Sequence, residues 1–132
     1  MNNLNSILIE GNLIKDPVLK STPNGTPVCL FSVATNRFFK QNDELQKEVS
    51  YFDIESWAST AQSCGSLLTK GRGVRIVGRL KQDRWNDENG NPKSRIKIVA
   101  EHVEFKPVIG NQTRSVSEKE VEFESEKTGE TE

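Results

Sequence analysis

GVRIVGRLKQDRWNDENGNPKSRIKIVAEHVE, residues 73–104, consists of two alternating runs around a polar middle. The first is Val74-Arg75-Ile76-Val77-Gly78-Arg79-Leu80-Lys81, the second Arg95-Ile96-Lys97-Ile98-Val99-Ala100. Alternation of apolar and polar residues is the period of a strand with one buried face. Asn86 to Pro92 collects turn formers, and Asn89-Gly90 suits the left-handed backbone of a hairpin tip. The stretch predicts a β-hairpin. Arg75, Arg79 and Lys81 share one face of its first strand, Arg95 and Lys97 one face of its second, and Trp85 stands at the base of the connection.

Three further strands precede it. Residues 6–14 (SILIEGNLI) read as a strand bent at Gly11 and ended by Asp16-Pro17. Thr22-Pro23-Asn24-Gly25 is a turn by its own chemistry, and residues 27–36 (PVCLFSVATN) form the second strand. Residues 49–57 (VSYFDIESW) form the third, with Phe52 and Ile54 toward the core and Tyr51, Asp53, Glu55 and Trp57 on the other face. Phe31 and Phe38 are assigned nearer the core. Between these strands, residues 37–50 break the pattern and are expected to be a long functional loop. Residues 59–70 are the helix candidate, capped by Ser59, with Ala61, Cys64, Leu67 and Leu68 as an apolar stripe and Gly71 as a stop. The expected fold is all-β: a five-stranded Greek-key barrel of the OB type with one short helix between strands 3 and 4. A β-sandwich needs about seven strands, more than this chain holds.

Composition divides the chain. Residues 1–109 carry 15 Lys and Arg against 12 Asp and Glu, while residues 110–132 carry 3 against 7. Rich in Glu, Ser, Thr and Lys, residues 110–132 are expected to be a disordered acidic tail, and 1–109 one folded domain. Cys29 and Cys64 form no C-x-x-C and only one His is present, so no metal site and no cofactor are expected. Both cysteines fit buried positions in a reducing cytoplasm. Neither a signal sequence nor a long apolar run is visible, which predicts a cytoplasmic protein without a membrane partner.

Four aromatics fall outside the core pattern: Phe39, Tyr51, Trp57 and Trp85. They lie in polar loops or alternate with carboxylates, positions better suited to stacking nucleobases than to filling a core. Nine cations crowd residues 70–97 against three acids, Asp83, Asp87 and Glu88. Of these, Arg72, Arg75, Arg79, Lys81, Arg84, Lys93, Arg95 and Lys97 are the candidate phosphate contacts. Gly71-Arg72-Gly73 leads into a strand that contains Gly78, and no helix follows the glycines, which excludes a dinucleotide fingerprint. Asp53 and Glu55 lack a nucleophile, metal or oxyanion site nearby in sequence, so ion-pairing with neighbouring Arg is expected and catalysis is not.

With these residues in view, the chain resembles the bacterial single-stranded DNA-binding protein family from about Asn5 to Phe105. The anchors are Gly11-Asn12-Leu13 with Asp16-Pro17, Thr22-Pro23-Asn24-Gly25, Phe31-Ser32-Val33-Ala34-Thr35, Leu68-Thr69-Lys70-Gly71, and Gly78-Arg79-Leu80 with Arg84-Trp85. The resemblance implies an OB-fold that binds single-stranded DNA without sequence preference in replication, recombination and repair, usually as a homotetramer. The family's stacking rings fall on Phe39, Tyr51, Trp57 and Trp85. Asp53 departs from a commonly basic position, which implies weaker binding or a shifted DNA path there. The tail lacks the family's Pro-Phe tip for partner proteins, and Phe123 is the candidate substitute for it. Alternatives are a primosome-type accessory protein of the same fold, an RNA-binding OB protein, and a small nuclease using Asp53 and Glu55.

Overall fold

The computed structural model describes residues 1–108. Its elements follow in the order β1 (Ile7–Leu13), β2 (Val18–Ser21), β3 (Pro27–Gln41), β4 (Glu44–Trp57), α1 (Ala58–Leu67), β5 (Gly73–Asn86) and β6 (Pro92–Phe105). The strands lie side by side as β1-β5-β6-β4-β3-β2, and a second pairing of β1 with β3 closes the sheet. All pairs are antiparallel except β4 with β6, where Ile54 and Glu55 lie beside Ile98 and Val99. Both β1 and β2 run along β3, at Leu13↔Val33 and Val18↔Leu30, so they act as two halves of one interrupted strand. The result is the expected five-stranded barrel of the OB type with α1 between its third and fourth strands.

Two glycines permit the closure. A Cβ on Gly11 would lie 2.4 Å from the Ala34 carbonyl oxygen, where β1 crosses onto β3. One on Gly78 would lie 2.2 Å from the Val99 carbonyl oxygen, beside the register shift that leaves Glu101 as an extra residue of β6. Any side chain at either position would force the strands apart. The barrel interior is filled by Leu13, Cys29, Phe31, Val33, Ile54, Val74, Ile76, Ile98 and Ala100, and α1 plugs one end with Ala61 and Cys64. Both thiols are buried, and Cys29 is pushed up to about 11 by desolvation and by its neighbour Cys64. No helix among the described residues is long and apolar enough to cross a membrane.

The hairpin expected over residues 73–104 forms as read. Its tip is held by the Asp87 carboxylate, which accepts hydrogen bonds from the Asn89 and Asn91 amides at 2.9 and 2.8 Å. The turn at Thr22 to Thr26 forms as well, closed by the Gly25 amide on the Thr22 carbonyl at 2.8 Å.

Four expectations need correction. Residues 37–50 are no loop: β3 and β4 continue through them and meet in a two-residue turn at Asn42-Asp43, both with positive φ. Both faces of this arm are solvated because it projects beyond the core, and Phe38, Leu45 and Val49 stand exposed on it, so no buried apolar alternation marks it. Phe38, on the arm, is exposed, and Phe52 is also exposed at the rim of the barrel. The helix starts directly from β4 with Trp57 at its N-cap and no side-chain cap, and Ser59 lies inside its first turn. It ends at Leu67, which faces solvent, because Leu68 already leaves in extended conformation. The expected boundary after residue 109 and the acidic tail 110–132, with Phe123, lie outside the described residues.

Candidate nucleic-acid interface

Register decides which side chains meet. The β3–β4 ladder runs unbroken from Val28↔Trp57 to Gln41↔Glu44. Side chains alternate between faces, so Ser32, Ala34, Phe38 and Lys40 share the outer face with Lys47, Tyr51, Asp53, Glu55 and Trp57. Next to β4, β6 presents Lys93, Arg95 and Lys97, and β5 beyond it presents Arg79, Lys81, Asp83 and Trp85. Contact between Lys97 and Glu55 places the two sets on one side of the molecule. Four rings stand on this surface: Phe38, Tyr51, Trp57 and Trp85, with 61, 65, 39 and 48% of their area exposed. Phe39 lies on the opposite face of the arm, half-buried, and the Arg37 guanidinium sits 4.7 Å above its ring.

The cations divide into two groups. Near the barrel body Arg75 pairs with Glu104 at 2.9 Å and Glu10 at 3.1 Å, and Arg79 with Glu101 at 3.5 Å. Arg72 donates through Nε to the Lys106 carbonyl at 2.8 Å and lies over the Phe105 ring. Toward the hairpin tip the ion pairs are long, Lys81 to Asp83 at 3.7 Å and Lys93 to Asp87 at 3.9 Å. Exposed pairs of that length contribute little and exchange readily for a phosphate. Arg84 leans on Gln82 at 3.0 Å, on the face opposite Trp85, and Arg95 makes no ion pair among the described residues.

Lys97 belongs to neither group. Its ammonium is enclosed between the Glu55 carboxylate and Asp83 Oδ2, the latter at 2.7 Å. Glu55 is 4% exposed and also accepts a hydrogen bond from Trp57 Nε1. Burial works to lower the Lys97 pKa, but its hydrogen bonds to Asp83 and Glu55 overcome that and hold it above the ordinary lysine value. The same bond from Lys97 holds Asp83 below the ordinary carboxylate value. The expected pairing of Asp53 and Glu55 with arginines is therefore replaced: Glu55 pairs with Lys97, and Asp53 accepts from the Ser32 hydroxyl at 2.7 Å.

Comparison with known proteins gives the family. The single-strand binding protein family model matches residues 4–106. The chain belongs to the single-strand binding protein family. A single-stranded DNA-binding protein of Aquifex aeolicus is 38% identical, over 98% of this chain and 90% of that one. One of Treponema pallidum is 36% identical, over 87% and 65%. Among solved structures, the Plasmodium falciparum SSB complex with ssDNA superposes with a TM-score of 0.74 at 27% identity, covering 81% of this chain and 98% of that one.

Within this single-strand binding fold, three outer-face residues escaped the sequence reading: Phe38, Lys40 and Lys47. Phe38 lies across from Lys47, and neither lysine makes an ion pair among the described residues. Reading residues 37–50 as a loop hid them. The turn Asn42-Asp43 was the available signal, because two consecutive residues tolerant of positive φ favour a tight hairpin. Glu10, Glu101 and Glu104, which occupy Arg75 and Arg79, were also missed, since they lie outside the 70–97 window.

Proposed function

We propose that this protein binds single-stranded DNA without sequence preference and coats and protects it during replication, recombination and repair. The observation that carries the reading is one continuous outer face bearing Phe38, Tyr51, Trp57 and Trp85 among Lys40, Lys47, Lys81, Lys93 and Arg95. Bases stack on the rings, each contributing ~1–3 kcal/mol, and the cations follow the phosphates. Arg75 and Arg79 take part where a phosphate displaces their carboxylate partners, Arg72 where one displaces the Lys106 carbonyl, and Arg84 and Phe39 serve a strand that passes over the opposite faces of the two hairpins. Lys97 contributes through Glu55 and Asp83 rather than by direct contact. The protein acts by binding alone, with no catalytic step and no cofactor, in the cytoplasm at the nucleoid.

It works as a homotetramer, supported by the edge of β1 that no second strand of this chain covers among the described residues, Ile7 to Glu10, and by Leu8 and Val77, an exposed apolar pair on facing positions of β1 and β5. Partner proteins of replication and repair are recruited by residues 110–132. A gel-shift comparison of a dT oligonucleotide, the matching duplex and the matching rU oligonucleotide tests the assignment. Preferential retention of dT is the expected result; equal or better retention of rU favours an RNA-binding role, and retention of the duplex alone contradicts the proposal.

The two faces of the β3–β4 arm make separable predictions. Phe38→Ala is expected to weaken dT binding about tenfold, the value of one stacked base. Phe39→Ala is expected to weaken it less, because Arg37 already covers one side of that ring. Fluorescence titration of the two variants checks the order.

A further inference from the structure

Among the described residues, Trp57 is the one ring of the outer face whose polar edge is tied down. Its Nε1 donates to Glu55 Oε2, and the other Glu55 oxygen receives the Lys97 ammonium. Lys97 in turn reaches Asp83, two positions from Trp85 on the same face of β5. The chain of contacts crosses three adjacent strands, β4, β6 and β5. A carboxylate 4% exposed is costly to bury unless paired, and here every contact that offsets the cost is directed. A half-exposed indole with no such anchor would sample several rotamers.

We infer that Glu55 is a positioning residue for DNA binding: it holds the Trp57 ring in its stacking orientation and, through Lys97 and Asp83, fixes it relative to the arm that bears Trp85. The inference rests on the single-stranded DNA reading and adds a division of labour to it. Glu55 touches no base. It removes the rotamer freedom that Trp57 would otherwise lose when a base arrives, so that less of the stacking energy is spent on ordering the ring. It also occupies the only donor of the indole, which leaves the ring a face without hydrogen-bond preference and keeps binding at this position indifferent to sequence.

The test makes Trp57 the sole indole with Trp85→Phe and reads it in two ways. In the DNA-free protein, time-resolved fluorescence anisotropy reports ring motion. Glu55→Leu is expected to add a nanosecond component that the unaltered network lacks. In titrations with a dT oligonucleotide, Glu55→Leu is expected to weaken binding about fivefold, on the scale of one hydrogen bond, with the salt slope unchanged because Lys97 stays on Asp83. Combined with Trp57→Phe, which keeps a stacking ring but has no N–H, and with binding read by gel shift because no indole then remains, Glu55→Leu is expected to add nothing. A loss of the same size with either ring would make Glu55 merely structural and overturn the inference, as would an unchanged anisotropy decay. Should Glu55→Leu not fold, Glu55→Gln serves: one acceptor oxygen must then satisfy two donors, and both readouts shift the same way by less. The anisotropy arm needs no DNA, so it decides the inference even if oligonucleotide binding itself were to fail.

Discussion

Replacing Trp57 and Trp85 together by alanine is expected to weaken binding of a dT oligonucleotide by about 4 kcal/mol, on the order of a thousandfold. Each ring stands on the outer face with two-fifths to half of its surface open, enough to accept a base on one side. They lie on different strands, β4 and β5, so a single strand of DNA can engage both in succession. No cation is removed by the double substitution. The dependence of log affinity on log salt should therefore keep its slope while the whole line drops. Either single substitution should lose about half of the free energy. A loss from the pair well below the sum of the singles would mean that the two rings already act as one unit through Glu55, Lys97 and Asp83.

Lys97→Met is expected to cost about 3 kcal/mol of folding stability, the largest effect of any charge substitution on the outer face. The reason is burial. Most of the Lys97 side chain is covered, and removing its ammonium strands the Glu55 carboxylate in the barrel wall with the Trp57 N–H as its one remaining partner among the described residues. Urea denaturation checks the value, and adding Glu55→Leu to Lys97→Met should recover most of the loss because no unpaired charge then remains. The pH dependence has a definite sign. Lys97 is held above the ordinary lysine value, so its contribution is complete at neutral pH and disappears as pH rises through the folded-state value. Asp83 is held below the ordinary carboxylate value, so its contribution is present at neutral pH and disappears on acidification through the lowered value. The gap in stability between the unaltered protein and Lys97→Met should thus be widest at neutral pH and narrow toward strong alkali.

How much could be read beforehand differed by element, and the differences have physical causes. The β5–β6 hairpin was legible because its body is half-buried: Val74, Ile76 and Ile98 must alternate with polar neighbours, and Asn89-Gly90 marks the tip. The β3–β4 arm was not, because both of its faces are solvated and nothing forces an alternation; Phe38 was consequently assigned inward and proved to be exposed. Val18 to Ser21 went unseen as β2 because all four residues are exposed and the only strand it pairs with is β3. Tyr51, Trp57 and Trp85 were placed outside the core from their polar sequence neighbours, and all three are exposed in the fold, whereas Phe39, placed by the same reasoning, lies half-buried on the other face of its arm. The state of the cations was not visible. Whether Arg75 is occupied depends on Glu10, 65 residues away, and on Glu104, contacts that exist only once the register is set. Lys97 alternates like a solvent-facing residue and is enclosed because β4 packs beside β6 and brings Glu55 against it.

The central claim, a stacking face served by cations, is tested most directly by quenching of tryptophan fluorescence on titration with poly(dT) at several salt concentrations. Trp57 and Trp85 are the only tryptophans in the chain, and both stand on the outer face, so every quenched photon reports a base arriving there. Strong quenching with an affinity that falls as salt rises is the result the account predicts. Absence of quenching at low salt would contradict it.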